Sequence, residues 1–94
     1  MAYLVIGCDL KNQASAGPVW TALESWGAVR LLESMWILNT RLDAGYVRSA
    51  LQDLVEPQDS VVVIELRHGA DWSAVGASEP ATAWLRHNLG SDSS

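Results

Sequence analysis

Ninety-four residues, set against the roughly 100 to 200 typical of one domain, predict a single compact domain over residues 1–89 with a polar, disordered tail at 90–94 and no separate catalytic module. A composition of 49% hydrophobic and 18% charged residues excludes a disordered chain, and eleven acidic residues against six basic ones, a formal charge of -5, repel polyanions and exclude strong nonspecific nucleic-acid binding as the default. Strictly apolar runs such as Val61 to Ile64 are far below the ~20 residues that cross a bilayer, the Met1 to Tyr3 start has no basic n-region, and the lone Cys8 offers neither a disulfide nor a thiolate zinc site, so a cytoplasmic protein without membrane association is expected.

Tyr3 to Cys8 is rich in strand formers and runs into the polar, Gly- and Pro-containing stretch Asp9 to Pro18, which reads as a loop. Pro18 suits a first helical position, and Val19, Leu23 and Trp26 follow at helical spacing before Gly27, so the first helix is predicted at about 18–26. Val29 to Leu32 and Met35 to Thr40 are strand-like runs parted only by Glu33 and Ser34, the pattern of a hairpin. Asp43 is a good N-cap, and Val47, Ala50, Leu51 and Leu54 share one helical face of a second helix that ends before Pro57. Ser60 to Leu66 is the clearest strand in the chain. Residues 69–89 form a C-terminal extension, a small-residue loop followed by a short helix at Glu79 to Asn88 with Ser78 as cap and Pro80 in its first turn.

The order strand, helix, strand, strand, helix, strand predicts an α/β (α+β) fold of the ferredoxin-like βαββαβ type, with an antiparallel four-stranded sheet and both helices on one face. Val61 and Val63 oppose Val62 and Ile64, and Leu4 and Ile6 oppose Tyr3 and Val5, so both sheet faces are apolar. A face open to water alternates apolar with polar side chains. The second face is therefore covered, either by the C-terminal segment through Trp72 and Trp84 or by a second copy; a homodimer is the favoured expectation. On this basis Val63→Glu and Ile64→Glu are both expected to break folding or assembly.

Asp9 stands where the first strand leaves the sheet. Magnesium is commonly held by one or two carboxylates plus water, so two Asp9 side chains across a dimer axis would suit Mg2+ or Mn2+; alternatively, Asp9 is a loop carboxylate accepting the backbone N–H groups of Lys11 or Asn12. His68 and His87 lack ligand partners at metal spacing, and a His68–Asp71 acid–base pair has nothing to fix its geometry. Ser34 lacks a nucleophile elbow and Gly17 is not followed by GK[ST], which excludes serine-hydrolase and P-loop chemistry. Arg30, Arg41 and Arg48 are candidate nucleic-acid contacts if they converge on one edge, and otherwise solvated or paired with Glu33, Asp43 or Asp53. Trp20 and Trp36 read as packing residues before base-stacking ones.

The segments YLVIGCDL, RLLESMWILNTRLDAGYVRSAL and DSVVVIEL resemble, in pattern across residues 3–66, the small CRISPR-associated protein that dimerises as the scaffold of the spacer integrase. The resemblance implies a ferredoxin-like homodimer packed through its sheets, with Asp9 as the catalytic, metal-binding residue of a divalent-metal-dependent endonuclease acting on RNA or DNA, or a nucleic-acid-associated scaffold. The chain departs from that pattern in having no Lys or Arg at residues 12–29 and in carrying Trp36 where the family tends to have Phe. Virulence-associated toxin endoribonucleases are another similar group. The alternative is a noncatalytic dimeric module whose acidic, Trp-rich surface binds another protein.

Overall fold

The computed structural model describes residues 2–67 and 69–90; His68, and with it the His68–Asp71 pair, and tail residues 91–94 lie outside the described residues. The elements follow as β1 (Ala2–Asp9), α1 (Gln13–Ser25), β2 (Val29–Leu32), β3 (Met35–Thr40), α2 (Ala44–Gln52), β4 (Ser60–Leu66) and α3 (Glu79–Leu89). The four strands form one antiparallel sheet in the order β2-β3-β1-β4, the ferredoxin-like arrangement. Leu4, Ile6 and Cys8 of β1 and Trp36 and Leu38 of β3 point to the helix-covered face, where Val19 and Leu23 of α1 and Val47 and Leu51 of α2 bury against them. Period-2 and period-3.6 apolar patterns thus meet in one core.

α1 starts five residues earlier than expected, at Gln13, and Pro18 lies inside it. Its start is set by Asn12, whose side chain accepts from the Ala14 N–H at 2.9 Å, so the cap is a residue that the Pro18 signal outshone. Pro18 has no N–H to offer the Ala14 carbonyl. Both residues are exposed, which leaves that carbonyl to water. The other end closes as expected: Gly27 takes φ 84, and the Gly27 and Ala28 N–H groups return to Glu24 and Leu23 carbonyls at 3.0 Å each, a Schellman closure that needs a left-handed residue at Gly27.

The second sheet face is divided. α3 and residues 72–77 lie over its β2–β3 side, burying Ile37, Ala81 and Leu85, so the C-terminal segment is a cover for part of it. Tyr3 meets Trp84 of α3 edge to face at 5.7 Å, a favourable aromatic geometry, and the Trp72 Nε1–H donates to the Gly90 carbonyl at 3.0 Å, tying the loop to the end of α3. Ser78 caps α3 by accepting from the Ala81 N–H at 3.2 Å. Toward β4 the same face stays open: Val62 is 57% exposed and Ile64 54%. No described helix is long and apolar enough to cross a membrane.

Candidate functional site

β1 delivers Asp9 to the rim of the sheet, opposite Ser60 of β4. Alternation along the strand puts Asp9 on the same face as Gly7 and Val62, and with Ser34 and Ser60 they line a shallow depression of about 250 Å³. On its other side Asp9 borders a cleft of about 410 Å³ whose walls include Gln13, Trp20, Arg30 and Glu33. Asp9 is exposed. Among the described residues no three His, Cys, Asp or Glu side chains come together as a metal-ligand group; the carboxylates that border the larger cleft are Asp9 and Glu33.

Arg30, the cation among the described residues that line the cleft, is already committed. The Arg30 guanidinium lies 4.6 Å from the Trp20 ring centre and 5.4 Å from that of Trp36, and those indoles stack at 5.6 Å and 24°. Arg30 also donates Nε and Nη2 to the Glu33 carbonyl, bracing the β2–β3 turn. Cation–π contact and turn bonding together hold it as a structural group. The packing role expected of Trp20 and Trp36 is what the structure gives them, although the buried Trp36 Nε1–H has no hydrogen-bond partner. Cys8, also on this wall, is buried, and loss of solvation pushes its thiol up to about 11, which keeps it protonated and poorly nucleophilic.

The three arginines do not converge. β2, which carries Arg30, and β4 form opposite edges of the sheet, and Arg48 shares a groove with Val61 on the β4 side, its Nη1 donating to Gln52 Oε1 at 2.6 Å. Arg41 is exposed just past the end of β3. Strand order, which separates hairpin β2–β3 from β4 by β1, prevents a single basic edge.

The turn carboxylate is Asp59, a residue the sequence reading passed over. Its Oδ1 accepts the Lys11 and Asn12 N–H groups at 2.7 and 3.1 Å, and its Oδ2 accepts the Ser15 hydroxyl at 2.7 Å and the Glu56 N–H at 2.9 Å. The role considered for Asp9 toward Lys11 and Asn12 therefore belongs to a carboxylate 47 or 48 positions away in sequence. The available signal was the Pro57-Gln58-Asp59 turn ahead of a strand. These bonds, first that from Glu56, lower its pKa from 3.8 to about 2 despite partial desolvation. A depressed carboxylate pKa adds stability that is fully present above about pH 4 and is lost as pH falls through 2. In Asp59→Asn the fall in thermal midpoint between pH 4 and pH 2 is expected to be shallower than in wild type, from a lower starting value; parallel profiles would show that Asp59 does not carry the linkage.

No family model matches the chain. The fold is similar to the crystal structure of a hypothetical protein, TT1823 from Thermus thermophilus, with a TM-score of 0.67 and 16% sequence identity over 82% of this chain and 94% of that one. At that identity the likeness shows a shared fold and nothing further.

Proposed function

We propose that the chain works as a homodimeric, noncatalytic protein-interaction module. The observation that carries this reading is the open apolar strip on the second sheet face, Val62 and Ile64 at 57% and 54% exposure beside Gly7. Two β-branched side chains held outward on a rigid strand favour burial, part of which contact with a second copy would supply. The net charge of -5 directs the remaining surface toward protein partners ahead of nucleic acid. A single 10.2 kDa species in sedimentation at micromolar concentration would overturn the dimer.

A second reading, a divalent-metal-dependent endonuclease with Asp9 at its centre, draws on one feature: Asp9 is exposed on the same sheet face as the open strip. In the form that uses two Asp9 carboxylates it needs a second copy. Assays of wild type and Asp9→Asn on RNA and DNA, with magnesium, manganese or chelator, separate the two. The interaction module gives no cleavage above the chelator control, and Asp9→Asn shifts stability by no more than about 1 kcal/mol. Metal-dependent cleavage present in wild type and absent in Asp9→Asn would establish the nuclease instead.

A further inference from the structure

The two sheet edges are unlike. β2 has four residues and a register shift between Arg30 and Leu32, a bulge that discourages pairing. β4 has seven residues in unbroken register with β1, and contains neither proline nor lysine. The direction of its free backbone groups follows from one bond. The Cys8 N–H donates to the Ser34 carbonyl beyond β3 at 2.9 Å, so by alternation Leu4, Ile6 and Cys8 bond toward β3 and Tyr3, Val5, Gly7 and Asp9 toward β4. Their β4 partners are Leu66, Ile64, Val62 and Ser60. Val61, Val63 and Glu65 consequently direct their N–H and C=O groups away from the sheet.

We propose that two copies pair antiparallel through β4, centred on Val63, so that each four-stranded sheet continues into the other. This rests on the dimeric reading above and specifies its interface. Centring on Val63 sets Val63 against the partner's Val63 and Val61 against the partner's Glu65, which uses all three outward residues of each copy in roughly six hydrogen bonds. A slip of two residues either way leaves outward groups unmatched. On the open face, Val62 falls opposite the partner's Ile64, so each of these exposed side chains gains a close cross-strand neighbour that covers part of it. On the helix face, Arg48 and Val61 line one groove, and the residue placed opposite Val61 is the partner's Glu65, an opposite charge. The arrangement keeps the two Asp9 residues about 25 Å apart, from three strand spacings across and six residue rises along, so they share no site.

Hydrogen exchange on the full chain at micromolar and submillimolar concentration tests this, together with sedimentation. The amides of Val61, Val63 and Glu65 are expected to gain at least tenfold protection as dimer forms, while those of Val62 and Ile64 are protected at both concentrations. Glu65→Arg and Arg48→Glu, both at exposed positions, should each weaken the dimer about tenfold, and the double variant should restore it. A dimer in which the three amides exchange equally at both concentrations, or in which charge reversal is not rescued, overturns β4 pairing and leaves the dimer standing. A monomer throughout overturns both.

Discussion

Leu4→Ala is expected to lower the unfolding free energy by about 2 to 5 kcal/mol, the range for deleting a buried leucine side chain and leaving a cavity. Leu4 is fully buried, on a central strand with Leu38 beside it, so the core cannot easily collapse into the space. Against a total of about 5 to 15 kcal/mol for a domain of this size, the loss brings the fold close to its limit. Urea unfolding followed by tryptophan fluorescence should show a lower midpoint with an unchanged slope. A cost below about 1 kcal/mol would mean that β1 is not at the centre of the core.

Val63→Glu and Ile64→Glu are expected to part company. Val63 is partly buried and packs against the core from the helix side, so a carboxylate there costs several kcal/mol and unfolds much of the population. Ile64 is 54% exposed, and its replacement leaves the isolated chain within about 1 kcal/mol of wild type. In the dimer the same carboxylate would stand directly against the partner's Val62, and sedimentation should show a folded monomer. Equal unfolding by both substitutions would mean that Ile64 is covered within its own chain. Alternation alone equated these neighbours; coverage by α3, which reaches the β2–β3 side of the face, distinguishes them.

What could be read along the chain was what is locally encoded. β2, β3 and β4 are bounded by turn residues, and the caps of α2 and α3, Asp43 and Ser78, each accept from an N–H three residues on. The start of α1 was hidden because its first turn, Gln13 to Ser15, carries no apolar stripe and is secured from across the fold. Asp59 escaped notice for the same physical reason, since a carboxylate's partners depend on which turns the topology brings together. Asp9 was correctly placed at the end of β1, but its surroundings depend on β4 and on the β2–β3 turn. The supposed convergence of Arg30 and Arg48 failed at the level of strand order, which periodicity does not encode.

The Asp59 junction also bears on the order in which the chain assembles. One side chain joins the β1–α1 corner to the entrance of β4 over 44 to 48 residues of sequence, spanning most of the two crossover units. Contacts of such separation form only after the intervening chain has closed, whereas the β2–β3 hairpin and the helix caps need little closure. β4 is therefore expected to dock last, with Asp59 as its latch, and losing that latch should speed unfolding more than it slows folding. A weaker Asp59 grip would let β4, an edge strand of the sheet, peel away from β1 more often and leave its valine-rich segment without a neighbour for longer.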